Sequence, residues 1–540
     1  MTGSARRRSP GARPASHLRL VGALLVGLVA LVAGCGTPPQ EDTTQRLTAA
    51  IPGDPVSLDW GLNTDALTID IAQNIFEPLF AADRTWQPKP MLADGYTLTE
   101  GNTVYTIPIR RDVTFHNGQP MGAADVVASL NRWFTISGQA QLIKSALRGV
   151  QQLDPYTVQV RFDRPQRSFI PDLASLVQPC IVLPAAIAGA AGAKPLTDAQ
   201  IIGTGPYQLE RFVHGQYVDL RRFPGYRSRT EDWGGLNGRK VARIPQLRFR
   251  VVTDSTVRLN GLSTGQWQYA QSLDNDSYDL ITGNTELTGL PERSSLIEFL
   301  LINSGAGPFR SLAARQGLNQ LLDKRALAEA TLGPAKLWEP LTGQFAFPDD
   351  AAMYSTAGMD TYRAHDPAEA SQLLSSAGVG PNSPIRILTT HTYPNYYQMA
   401  VVVQSELRSI GISAQLQVYD FPTMISKLSS DPGSWDLSMT SFAGEIMAPT
   451  QVLFLTPKWP GGYRSAAMDA AIAQYEASAD DAAAKAAIDR IQAVVWQEVP
   501  DIGIGKQVKL DAVTHQVRDY QNFVGQGFWN AYLAPARTAD

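Results

Sequence analysis

Few residue patterns in this chain could carry chemistry, and each has a meaning only once it is placed on an element. Gly261-Leu262-Ser263-Thr264-Gly265 has the G-x-S-x-G form of a serine nucleophile elbow. That elbow needs a strand running straight into the turn and a helix after it, which lifts the hydroxyl above a sheet. Here the spacing predicts the reverse, a helix over 255–262 and then a strand over 266–270, so hydrolysis ranks last among the functions considered. Gly203-Thr204-Gly205 lacks the third glycine of a dinucleotide fingerprint. His116, His214, His365, His391 and His515 are scattered without metal-ligand spacing, so neither a metal nor a cofactor is expected.

The two cysteines have different settings. Cys35 follows a basic stretch (Arg6, Arg7, Arg8, Arg13, Arg19), an apolar run over 20–32, and Val32-Ala33-Gly34. The run is shorter than the roughly 20 apolar residues of a transmembrane helix. Small residues before a cleavage point mark a secretory signal peptide. A cysteine directly after Ala-Gly resembles a bacterial lipobox, which implies a signal peptide over 1–34, lipidation of Cys35, and a Pro- and Thr-rich tether over 35–46. The residues expected after a twin-arginine pair are missing, which favours general secretion. Cys180 is then left without a partner for an intrachain disulfide, and its apolar, strand-like surroundings (178–183) predict a buried thiol.

Without the five n-region arginines the formal charge falls from -4 to about -9. This mild acidity argues against nucleic acid as a partner. The roughly 500 remaining residues exceed what one hydrophobic core usually serves, so two or more lobes are expected. No second apolar stretch is long enough to span a bilayer.

The elements that must position any site alternate between strand and helix. Strands are predicted over 47–51, 103–109, 156–162, 205–212, 218–222, 247–252, 296–302, 385–388, 413–419 and 437–441. Helices are predicted over 69–79, 123–134, 311–322, 324–332, 367–377 (stopped by Gly378), 396–410, 423–428, and as one long region over 468–498. This alternation argues for an α/β fold.

On these elements lie motifs of a known kind. Ser57-Leu58-Asp59, Ile75-Phe76-Glu77-Pro78-Leu79-Phe80, Val113-Thr114-Phe115-His116-Asn117-Gly118 and Gly203-Thr204-Gly205-Pro206-Tyr207 come in order along the first half. Phe223-Pro224-Gly225-Tyr226, Asp323-Lys324-Arg325, His365-Asp366-Pro367-Ala368-Glu369-Ala370 and Trp435-Asp436-Leu437 continue the series. In order and spacing they resemble the peptide/nickel class of solute-binding proteins of ABC importers. The resemblance implies a two-lobe periplasmic-binding-protein-like fold that closes on a ligand by a hinge. Lobe I would comprise 47–297 and 505–540, with a subdomain inserted at about 79–199, and lobe II would comprise 298–504.

The same resemblance suggests where a ligand would bind. In peptide binders of this class a lobe II carboxylate holds the peptide ammonium. Glu445, in Ser441-Phe442-Ala443-Gly444-Glu445-Ile446-Met447-Ala448-Pro449, stands at that position, with Gly444 beside it and Phe442 at the aromatic position or in plain core. The dipeptide binders' arginine for the peptide carboxylate is absent from Thr389-Thr390-His391-Thr392-Tyr393-Pro394-Asn395. Either His391 or Tyr393 lines the cleft there, or the ligand is longer than a dipeptide. Asn63 and Thr64 in lobe I, and Asn303 at the entry to lobe II, could bond a peptide backbone or serve as turn and cap residues.

The leading expectation is therefore a monomeric lipoprotein, anchored to the outer face of the membrane, that captures peptides for an ABC permease driven by cytoplasmic ATPases. Rival readings keep the fold and change the ligand to haem, a sugar or a metal chelate, or make the chain a regulatory or scaffolding lipoprotein.

Overall fold

A computed structural model of the protein describes residues 45–535, apart from 293–295, 334, 344, 349, 351, 383 and 444–446. Cys35 and its leader therefore lie outside the described residues, as do Gly444 and Glu445.

The first ordered strand, Arg46–Ile51, enters the middle of a seven-stranded sheet. It runs parallel to Gln246–Val251 on one side and Tyr269–Leu273 on the other. Leu47, Ala49, Ala50 and Ile51 are all fully buried, as a strand covered on both faces requires. Tyr217–Arg222 and Tyr207–Val213 extend one flank antiparallel, and Lys509–Thr514 and Leu287–Glu292 extend the other.

A second, six-stranded sheet has the order Trp338–Glu339, Asp501–Gln507, Leu296–Ile302, Leu437–Ala443, Ile385–Thr390, Ala414–Tyr419. The chain crosses between the sheets twice, from Leu287–Glu292 to Leu296–Ile302 and back from Asp501–Gln507 to Lys509–Thr514. Each sheet carries its own buried core, so the molecule has two α/β lobes joined by two strand crossings. A third core lies over a small antiparallel sheet inserted in the first lobe, ordered Thr97–Thr99, Val104–Pro108, Thr157–Phe162, Leu147–Asp154. Its centre is an aromatic cluster in which Phe169 contacts Tyr105, Phe134 and Phe162 at 4.9–6.2 Å between ring centroids.

Local departures from the predicted elements have physical causes. The helix expected over 69–79 is Ala66–Ala72. It ends early because the carbonyls of Asn74 and Ile75 accept from the Tyr207 and Gly205 N–H groups instead of continuing a helical ladder. The region 468–498 is two helices, Ala466–Glu476 and Asp481–Glu498. The Asp480 carboxylate caps the second by accepting from Ala483 N–H at 2.8 Å. The 178–183 run forms no strand, only a single bridge from Ile181 to Pro78. The 367–377 helix is Pro367–Ser376, and Gly378 beyond it takes the left-handed φ of +78° that favours glycine.

The recurrent motifs prove to be fasteners of this frame. Asp59 is buried and accepts from both terminal nitrogens of Arg132, at 3.3 and 2.6 Å, and from Leu196 N–H at 3.0 Å. Glu77 accepts from the Thr204 hydroxyl at 2.9 Å and the Tyr226 hydroxyl at 2.8 Å. Lys240 is fully buried nearby, and desolvation pulls its pKa down to about 8 against the opposing pull of Glu77. His116 Nδ1 accepts from Gly203 N–H, so Nε2 carries the proton it shares with the Gly205 carbonyl at 3.0 Å. Burial lowers the pKa of that ring to about 4 and keeps it neutral. Gly203 must be glycine because a Cβ there would stand 2.1 Å from the Ile75 oxygen.

Candidate ligand cleft

The loop after Asp59 carries the first lobe's expected contacts. Asn63 donates its amide to the Ser57 hydroxyl at 2.6 Å and the Asp59 carbonyl at 3.2 Å, and so braces the turn. Thr64 is exposed. Asp65 caps the Ala66–Ala72 helix through Thr68 N–H at 2.9 Å.

In the second lobe, the strand Ile385–Thr390 runs into His391 and Tyr393. His391 is exposed, with its ring 4.1 Å from that of Tyr397. Tyr393 is 44% exposed, stands edge-on to Phe421 at 4.8 Å and lies 5.5 Å from Tyr396. Burial and then the negative charge of Asp65 in the first lobe raise the Tyr393 phenol pKa.

The strand Leu437–Ala443 leads to the segment 444–446. Ser441 and Phe442 alternate across it. Ser441 lies 2.9 Å from the Tyr396 hydroxyl on the side of the helix Pro394–Ser409. Phe442 points the opposite way and meets Phe454 and Trp459 edge-on at 5.6 and 5.9 Å. Phe442 and Tyr396 therefore do not share a face.

Beyond 446 the chain docks on the first lobe. Met447 belongs to the buried core of the inserted sheet. Thr450 donates to the Asp172 carboxylate at 2.8 Å, and Gln451 donates to the Pro171 carbonyl at 3.1 Å. The described residues on either side of 444–446 thus belong to different lobes, 437–443 to the second lobe's sheet and 447–451 to the contact with the first.

Of the two roles open to it, Asn303 makes the contacts of a turn residue and not those of a ligand contact. It is 1% exposed, donates to the Pro432 and Trp435 carbonyls at 2.7 and 2.9 Å, and accepts from Ala306 N–H at 3.0 Å. With those groups committed, it clips two loops together rather than facing the gap.

Three groups escaped the sequence reading. Glu298, in the strand Leu296–Ile302, is paired in register with Ser441. It is 2% exposed, and burial raises its carboxyl pKa to about 8, so it is mostly protonated at neutral pH. Its Oε2, the Thr389 hydroxyl and the Trp459 indole N–H are buried with no hydrogen-bond partner among the described residues. A lone acid within Leu296-Ile297-Glu298-Phe299-Leu300-Leu301-Ile302 was the available signal for the first.

The G-x-S-x-G stretch is no elbow. Ser263 ends the helix Ser255–Ser263 and donates back to the Leu259 carbonyl at 3.0 Å. Gly261 is small because Trp267 covers it, and a Cβ would stand 2.0 Å from that ring. Cys180 is 1% exposed, and burial raises its thiol pKa. Among the described residues no group of three or more His, Cys, Asp or Glu could hold a metal, and no helix is long and apolar enough to cross a membrane.

Comparison with known proteins agrees with this architecture. The glutathione-binding protein GsiB of Salmonella choleraesuis (strain SC-B67) is 25% identical over 457 residues, covering 81% of this chain and 84% of that protein. Among solved structures, AgaA from A. tumefacien R10 in complex with agropinic acid superposes with a TM-score of 0.77 at 20% identity, covering 91% and 99% of the two chains. The Helicobacter pylori periplasmic binding protein DppA in complex with the peptide STSA gives 0.75 at 18% identity over 90% and 98%. The family described as bacterial extracellular solute-binding proteins, family 5 Middle, matches residues 87–461, and the chain belongs to that family of ABC-importer solute-binding proteins.

Proposed function

We propose that the chain captures peptides between its lobes and hands them to an ABC permease, with Glu445 holding the ligand ammonium. The observation that supports this reading is that the described residues flanking the segment in sequence belong to different lobes, 437–443 to the second lobe's sheet and 447–451 fastened to the first. A carboxylate carried there would lose water as the lobes close, and a ligand amine would supply its counter-charge. Tyr393 and His391 would line the second lobe's wall and Thr64 and Asn63 the first lobe's, Gly444 would let the ligand backbone approach, and Phe442 would pack a side chain with Trp459. No covalent step is needed. GsiB and the DppA structure, by their names, bind glutathione and a peptide, and this supports a peptide ligand.

In this reading lobe I is 47–297 with 505–540, its inserted subdomain is 79–199, and lobe II is 298–504. Lipidation of Cys35 would hold the monomeric body by its 35–46 tether at high local concentration near the permease. The test is thermal shift. A ligand at 100 times its Kd stabilises the protein by about 2.7 kcal/mol. Free peptides should raise the Tm, while N-acetylated ones and the Glu445→Gln variant should show little shift. Equal stabilisation by free and acetylated peptides would remove Glu445 from this role.

A further inference from the structure

The contact between the inserted subdomain and the second lobe holds two acids, Asp172 buried and Glu476 partly buried. Asp172, in the Phe169–Leu173 helix of the subdomain, is fully buried. It accepts from the Thr450 hydroxyl at 2.8 and 3.0 Å and lies 3.4 Å from the Gln451 amide, both donors coming from the second lobe. Glu476, at the end of the second-lobe helix Ala466–Glu476, reaches the opposite way. It accepts from the Ser168 N–H at 3.0 Å and from the Ser168 hydroxyl. Each lobe thus places one carboxyl group among the other lobe's donors.

The charged and titratable groups around the pair leave it short of positive charge. Arg167 faces Glu476 but also pairs with the exposed Asp481. Tyr105 from the subdomain and Tyr475 from the second lobe complete the surroundings as neutral phenols. With both acids ionised, the charge of Glu476 would act on Asp172, which has no cationic partner of its own among the described residues and is cut off from water.

We propose that this contact is a closure latch that tightens as pH falls, its two carboxyl groups meeting across the gap in protonated form and parting when ionised. The sign follows from burial. In the open form both acids are hydrated, with ordinary carboxylate affinities near 3.8 and 4.5. Closing removes water from both and places them together, which raises both. Closing therefore takes up protons from the ordinary carboxylate range upward, and the closed form loses ground as pH rises through the raised values. For each proton taken up, the closed-to-open ratio changes about tenfold per pH unit within that window.

Hydrogen-exchange mass spectrometry on the full chain without ligand tests this directly, after correction for intrinsic pH dependence. Protection of 168–176 and 447–455 should fall as pH rises from 5 to 8, while the strand Val104–Pro108 stays constant. In the double variant Asp172→Asn, Glu476→Gln that dependence should vanish. Ser168→Ala removes a donor to the ionised form, so it should move the midpoint to higher pH. Unchanged wild-type protection at 168–176 across the range would overturn the proposal, as would a double variant that keeps the wild-type slope. Should the double variant not fold, the wild-type slope and the Ser168→Ala shift still decide the matter. No ligand is present, so failure here leaves the peptide reading untouched.

Discussion

Replacing Asp59 with Asn probes the frame that holds the 63–65 loop. The native carboxylate is 0% exposed and takes hydrogen bonds from both terminal nitrogens of Arg132, whose side chain is 3% exposed. Asn keeps the volume and one acceptor, but it turns an NH2 toward the guanidinium and leaves that cation without counter-charge. Removing one partner of a buried pair costs about 3–5 kcal/mol. The control is Glu100→Gln opposite Arg161, where the side chains are 58% and 42% exposed and the expected cost is at most about 1 kcal/mol. Urea unfolding followed by tryptophan fluorescence reports on the right region, since Trp60 and Trp133 donate to the Leu176 and Gln178 carbonyls there. The Asp59→Asn midpoint should fall by about 1 M or more for a slope of about 3 kcal/mol/M, and the Glu100→Gln midpoint by much less. Equal shifts in the two variants would refute the claim that this ion pair anchors the subdomain to the loop.

Gly203→Ala should destabilise the first lobe by about 1–3 kcal/mol through its clash with the Ile75 carbonyl, read as a lower Tm with ligand affinity retained in the folded fraction. Cys35→Ala should release a folded, ligand-competent protein that no longer supports efficient uptake, seen by comparing membrane and medium fractions with transport of labelled peptide.

The sequence motifs carried the family and much of the fold, yet most of them point inward. Asp59, Glu77, His116 and Gly203 read clearly because close packing admits few alternatives to them, and for that reason they say little about the ligand. Asn303 illustrates the confusion, since a polar residue at the lobe entry can bond a ligand or two loop carbonyls, and only the distant residues Pro432 and Trp435 decide between these. The latch was invisible for the same reason. Ser168 and Glu476 stand 308 positions apart, and each alone is an ordinary polar residue beside apolar neighbours. The break between Ala466–Glu476 and Asp481–Glu498 turns on one capping carboxylate in an alanine-rich run whose periodicity continues through it.

The central claim is that the cleft holds a peptide by its ammonium. Native mass spectrometry of the gently purified protein tests it most directly, because a closed binding protein retains what it captured. The expected result is added mass that, on release, fragments as peptides with free N-termini and is lost in Glu445→Gln. Added mass from haem, a sugar or a metal chelate, or peptides retained equally by Glu445→Gln, would contradict the account.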